Sequence, residues 1–225
     1  MKKANFILPL IASALVWMGL TSCGSSSASD AATVNNDTTM QANAGGKELK
    51  ADTAVSSIGF TGYGVGKDHP GKFHLKSGSL MVQDGKLTSG KFVINIGSMK
   101  LDQTEDFITG KLRPHLLSPD FFDVEKFPEA TFEITKVEAY TPTATDSSVV
   151  KGANQLVSGN LTLKGVTKNI SFPAKVEASG NSATAEANFN IDRTWWGMSY
   201  GNDKSLKDHF ISEKVDLRIS VAAKE

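Results

Sequence analysis

Cysteine is almost absent from this chain: 225 residues carry one, at position 23. A single thiol excludes an internal disulfide, so the fold must stand on its core alone. Charge imbalance is absent as well, with 24 Lys plus Arg against 24 Asp plus Glu. Nothing in that balance favours nucleic acid, whose binding needs a basic stripe. The apolar run from Phe6 to Leu20 is too short and wrongly flanked for a membrane span. H-E-x-x-H is missing, and so is any cysteine ligand set, which leaves only the histidines for a metal reading. There is no internal repeat. Hydrophobic residues make up 40% and aromatics 8%, enough for a sizeable core.

The N-terminus reads as a targeting segment. Lys2 and Lys3 form a charged start and Phe6 to Leu20 an apolar stretch of signal length. Residues 1–22 are therefore expected to be a signal peptide. Leu20-Thr21-Ser22-Cys23-Gly24 resembles the lipobox of bacterial lipoproteins, in which the cysteine is acylated and becomes the first residue. Two or three acyl chains on Cys23 would anchor the protein stably, where one chain would be marginal. Removal of Lys2 and Lys3 would take the formal charge from 0 to −2. Gly24 rather than Asp after the cysteine leans, by the same resemblance, toward the outer membrane over the inner. Residues 23–49 then read as the lipidated cysteine and a disordered tether. From Gly24 to Gly46 the chain is Ser, Ala, Asn, Thr and Gly, too polar to offset its own entropy. A coil of that length reaches about 25–30 Å.

From about Lys50 the pattern changes. Short alternating runs follow one another, separated by Gly, Asn, Asp and Lys. Val55, Ile58 and Phe60 mark a first strand. Phe73, Leu75, Leu80 and Val82 mark a second, and Phe92, Ile94 and Ile96 a third. Ala130, Phe132 and Ile134 come next. Leu161 and Leu163 turn at Lys164-Gly165 into Ile170 and Phe172, and 183–191 and 215–221 complete the set. Period two, with turns about every ten residues, predicts an all-β antiparallel barrel or sandwich spanning residues 50–225. Between Asp102 and Leu116 the spacing is helical. Asp102 with Glu105 has the form of a capping box, and Pro114 is expected to end a short helix there. The loop at 141–154 is polar.

Leu112 to Phe132 stands apart. Leu116, Leu117, Phe121, Phe122, Phe127 and Phe132 surround Pro114, Pro119 and Pro128. Three prolines exclude a long helix or a central strand, so this predicts a compact apolar plug at one end of an apolar interior. Asp120, Asp123, Glu125 and Glu129 read as its solvated rim.

Three constellations bear on chemistry. Gly197-Met198-Ser199-Tyr200-Gly201 matches the nucleophile-elbow pattern, with His209 downstream, but no helical pattern follows it, as an elbow requires. It reads more readily as a glycine-rich turn. His69, His74, His115 and His209 lack metal-ligand spacing. Trp195 and Trp196 cannot both face inward from a regular strand, which hints at an aromatic at a barrel mouth.

Over residues 50–223 the chain resembles the YceI-like family. The resemblance rests on Ser57-x-Gly59-Phe60, His69-Pro70-Gly71-x-Phe73, H-L-x-S-x-D-F-F from His115 to Phe122, and Gly159-x-Leu161-Thr162 continuing to Lys164-Gly165-Val166-Thr167-Lys168. Ile191-Asp192-Arg193-Thr194-x-Trp196-Gly197 completes it. The resemblance implies an eight-stranded antiparallel lipocalin-like barrel around an elongated apolar cavity. It also implies an isoprenoid-like ligand, a polyprenyl or quinone lipid, and no cofactor or catalysis. By that resemblance Phe60, His69, His115, Phe121, Phe122, Thr162, Thr167, Arg193 and Trp196 are candidate ligand contacts. Arg193 could meet a phosphate or quinone oxygen, or else a nearby carboxylate. Gly159 and Gly165 are expected in turns. The alternative function is a barrel filled by its own side chains, acting as a stress-response or interaction module. An exposed edge could also pair two barrels as a homodimer.

Overall fold

The computed structural model describes residues 29–35, 45–143 and 148–225. The signal segment and Cys23 lie outside the described residues. The strands in chain order are β1 (Asp30–Ala31), β2 (Thr33–Asn35), β3 (Lys47–Ala51), β4 (Ser57–Gly64), β5 (Lys67–Gln83), β6 (Lys86–Leu101), β7 (Glu129–Ala139), β8 (Gln155–Leu163), β9 (Val166–Ser179), β10 (Ser182–Asp192) and β11 (Ile211–Lys224). Each strand from β4 to β11 pairs antiparallel with the next, and β11 returns to β4 from Ile211↔Gly64 to Ser220↔Ser57. The result is a closed eight-stranded antiparallel barrel, as expected.

Alternation in the strands sets the two faces. Phe92, Ile94 and Ile96 point inward and are buried, as are Leu161, Leu163, Ile170 and Phe172. β5 and β6 are 17 and 16 residues long. Their ladder breaks register between Lys72 and His74, between Leu75 and Ser77, and between Met81 and Val82, and such bulges bend long strands around a barrel. β3 and β4 share one place between β11 and β5. The turn between them is closed by Asp52, whose carbonyl accepts from Ser56 N at 3.0 Å and whose carboxylate accepts from Ala54 N at 3.1 Å. Val55, expected in the first strand, lies in this turn and is 65% exposed.

The helical interval differs from expectation. A π-helical turn at Ile108–Leu112 runs directly into α1 (Arg113–Leu117), with no side-chain cap at its start. Pro114 therefore sits in the first turn of α1 instead of ending a helix. Its missing donor is tolerated there, and the wider turn before it relieves the carbonyl a proline ring would strike. Arg113 fastens α1 to β6 by donating to Met99 O at 2.8 Å and Gly97 O at 3.0 Å.

The plug forms as expected. Phe122 N and Val124 N donate to Leu116 O and Leu117 O, folding the segment back on α1. Lys164 Nζ reaches Pro119 O at 2.6 Å, tying the β8–β9 hairpin to it. Asp123 is buried, not part of a solvated rim; its carbonyl accepts from Lys126 N and Phe127 N.

Two further corrections concern the tether and a glycine. Residues 29–35, expected to be disordered, form β1 and β2 against β10 and β9. Gly165 does serve a turn, at φ +74°, but Gly159 lies within β8, where Phe132 covers it. A Cβ there would sit 2.4 Å from Phe132 Cζ and 2.8 Å from Glu133 O. Gly159→Ala is expected to cost about 2–3 kcal/mol in urea denaturation. Phe132→Leu in the same chain should recover part of that loss, and no recovery would show that the Phe132 contact is not the cause.

Candidate functional site

The interior is not filled by side chains. Two apolar chambers run along the barrel, of about 210 Å³ and about 110 Å³. Both touch Ile58, Ile94, Leu161 and Leu217, so this ring is the constriction between them. The smaller chamber is walled by inward residues such as Leu80, Phe92, Val157, Phe172 and Phe189, and Glu186 is its one charged neighbour. Its space follows from the small residues Ala174, Ala185 and Ala187, which take inward places beside larger ones.

The larger chamber ends under the plug and carries the polar groups. Tyr63, His69, His115, Arg193 and Ser212 line it, among Phe60, Phe73, Phe121 and Phe122. The aromatic rings are in mutual contact: Phe60 with Phe73 at 4.9 Å, Phe73 with Phe122 at 5.5 Å, and His115 with Phe121 and Tyr200 at 5.2 and 4.7 Å. His69 Nδ1 pairs with Gln103 Oε1 at 2.8 Å, and His115 Nε2 with Asp120 Oδ2 at 2.9 Å.

Arg193 is buried and its guanidinium is engaged by main chain. Nε donates to Ser212 O at 2.8 Å, Nη2 to Tyr200 O and Ile211 O at 2.9 Å each, and Nη1 to Met198 O. Its Cζ lies 5.5 Å from the Phe121 ring centre, a cation–π distance. Burial pushes its pKa down, while Asp192 and Glu213 pull it up. Of the partners weighed for Arg193, the carboxylate gives way to four carbonyls, which tie the 198–212 loop over the barrel end.

Of the nine candidate contacts, Phe60, His69, His115, Phe121, Phe122 and Arg193 line the larger chamber. Three do not. Thr162 and Thr167 face outward and bond each other at 2.8 Å. Trp196 is wholly buried and its Nε1 donates to Leu161 O at 3.0 Å. Trp195 and Trp196 belong to a 3-10 turn, Arg193–Trp196, not to a strand, so alternation does not apply to them. Sequence reasoning missed the constriction: alternation marks Ile58, Ile94 and Leu161 as inward but says nothing of where free volume remains.

The G-x-S-x-G pentapeptide is a turn, with Gly197 at φ +74° and Gly201 at φ +67°. Ser199 is exposed there, between the carbonyls that serve Arg193. Among the described residues, no group of three or more His, Cys, Asp or Glu side chains could hold a metal ion.

Tyr63 donates to Asp216, which also accepts from Ser29 Oγ at 2.6 Å. Burial, then the Asp216 hydrogen bond, push the Tyr63 pKa up to about 12.

The YceI-like domain model matches residues 49–223. A UPF0312 protein of Pseudomonas paraeruginosa is 30% identical over 162 residues, covering 67% of this chain and 71% of that protein. One from an Enterobacter species is 29% identical over 188 residues, covering 78% and 81%. Burkholderia cenocepacia BcnA superposes with a TM-score of 0.58 at 19% identity, over 77% of this chain and 99% of BcnA. A polyisoprenoid binding domain from Saccharophagus degradans, implicated in plant cell wall breakdown, superposes at 0.55 and 14% identity, over 78% and 97%. Both likenesses are of fold.

Two outcomes follow from the charges. Arg193→Lys cannot reach four carbonyls and should cost about 3 kcal/mol, lowering Tm by roughly 6–12 °C; an unchanged Tm would show that these bonds do not hold the loop. The raised Tyr63 pKa stabilises the fold fully below about pH 10, the unfolded value, and that stability is lost as pH rises toward about 12. Tyr63→Phe should flatten the stability profile over that window.

Proposed function

The chain belongs to the YceI-like family, and on that premise we propose that it is a bacterial envelope lipoprotein whose barrel binds an isoprenoid-like lipid. A polyprenyl or quinone chain would be sequestered or carried, without chemistry. The observation that carries this reading is the open apolar volume on both sides of the Ile58–Ile94–Leu161–Leu217 ring. Each chamber alone is below the roughly 300 Å³ of ordinary ligand sites, so an elongated guest spans both. Burial of hydrocarbon contributes about 0.8 kcal/mol per CH₂. Most of the polar lining gathers at the plug end, where a head group would sit. The same open volume weighs against a filled barrel serving as an interaction module.

Lipidation of Cys23 keeps this cavity beside its source of lipid, and Gly24 favours the outer membrane. With residues 29–35 docked on the wall, the chain between Cys23 and the barrel spans at most about 20 Å, shorter than a free tether would give. Where β9 and β10 part, residues 29–35 cover the edges they leave, so neither offers the long exposed edge that pairs two barrels, and the function is assigned to one domain.

Native mass spectrometry of residues 23–225 carrying Cys23→Ser, followed by organic extraction, tests the carrier reading. A bound polyprenyl or quinone mass is expected. An apoprotein that also binds no added prenyl lipid or quinone would falsify it. Leu217→Trp, at the constriction, should weaken a long prenyl chain by about tenfold or more while Tm shifts little. In the full chain, Cys23→Ser should abolish palmitate incorporation and release the protein from the membrane fraction; persistent labelling would rule out Cys23 as the anchor.

A further inference from the structure

β9 and β10 pair only between Ser182↔Ser179 and Glu186↔Lys175. Beyond that point the two strands part, although β10 continues to Asp192 and β9 begins at Val166. Residues 29–35 fill the split. β1 pairs parallel with β10 through Asp30↔Phe189 and Ala31↔Asn190, and β2 antiparallel with β9 from Thr33↔Ser171 to Asn35↔Asn169. One seven-residue segment thus completes the wall between two barrel strands.

Its fastenings are mostly polar. Ser29 Oγ donates to Asp216, and Asn190 Nδ2 donates to Asp30 O at 2.8 Å. Asn35 Nδ2 donates to Asn169 Oδ1 at 3.0 Å and Ser171 Oγ at 2.6 Å. The one apolar side chain it buries is Ala32. By contrast, β10 and β11 share a ladder of eleven residue pairs. Short ladders with little buried apolar surface open first.

What lies behind the segment is the smaller chamber. Phe172 and Phe189, one from each parted strand, stack face to face at 3.9 Å and 8° across the split. Both line that chamber. Glu186, at the last pair before the strands part, is exposed and lines it too. The smaller chamber therefore lies directly behind the stretch of wall with the shortest ladders, and residues 29–35 cover it there.

We propose that residues 29–35 are a displaceable wall strand whose release opens a slot between β9 and β10, through which a hydrocarbon chain passes sideways into the smaller chamber. This rests on the lipid-binding reading above. The slot lets a long chain enter lengthwise, without threading past Phe121 and Phe122 and through the constriction.

Thr33 and Ser171 stand opposite each other on the outer face. Such antiparallel partners lie about 4.5–5.5 Å apart, within disulfide reach. In residues 23–225 with Cys23→Ser, Thr33→Cys plus Ser171→Cys locks the strand when oxidised. The probe is geranylgeraniol carrying a nitrobenzoxadiazole fluorophore. Oxidation is expected to slow both its association and its dissociation about tenfold or more, with affinity changed less than about threefold; reduction restores both rates. Ala32→Glu should speed association and raise exchange of the residue-32 amide about a hundredfold above the β10–β11 amides. Equal probe rates in the oxidised and reduced forms overturn the slot while leaving lipid binding intact. Probe binding to no form, the unlocked chain included, overturns the lipid-binding reading and the slot with it.

Discussion

Main-chain closure is the constraint on which this structure depends. Each barrel strand must satisfy donors and acceptors on both edges, and a ring of eight antiparallel strands does so without leaving a free edge. Ring size also fixes the interior, which for eight strands is just wide enough to be filled by side chains or to hold one small ligand. The sequence therefore decides between these outcomes by residue volume. Large residues such as Phe92, Ile94 and Leu161 enclose the space from one side. Ala174, Ala185 and Ala187 hold inward places on β9 and β10 and leave it partly open.

Closure along the wall does not close the ends. At the plug end, three prolines and a cluster of phenylalanines cover the opening with a compact apolar segment. The loop opposite is held by a different means. Burying the Arg193 guanidinium is costly unless its donors are met, and the loop carbonyls meet them. The charge thus imposes one conformation on a glycine-rich stretch that hydrophobic contact alone would leave free. Along the wall, the β9–β10 ladder is incomplete, and the chain repairs it with a segment from far upstream.

Much of the fold was legible because period two is a local signal. Phe73, Ile94, Ile134, Leu163 and Phe172 announce an inward face from their neighbours alone, and all are buried. The plug was legible from its prolines. Residues 29–35 were not, because Ser, Asp, Ala, Thr, Val and Asn in short order carry no strand signal of their own. Their pairing exists only because two strands distant in sequence leave a gap of matching length. The helix was misplaced at its ends for a similar reason: Asp102 has the form of a cap, yet its amide is taken by Pro70 O from another strand. Motif resemblance singled out Phe60, His69, His115, Phe121, Phe122 and Arg193, which line the larger chamber, and carried Thr162, Thr167 and Trp196 along with them, which do not. A motif marks what the fold needs as readily as what a ligand touches: Trp196 supports the barrel from within, and the two threonines bond each other outside it.

The sequence by itself determined an all-β chain with alternating faces, an apolar plug, turns at Gly165, Gly197 and Gly201 and a single thiol near its start. These follow from local periodicity, ring-fixed φ and composition. Only the tertiary structure decided that the barrel closes around free volume, that Ile58, Ile94, Leu161 and Leu217 divide it, and that Arg193 serves carbonyls. Void, constriction and hydrogen-bond partner are all relations between residues far apart in sequence. They exist only once the ring has closed.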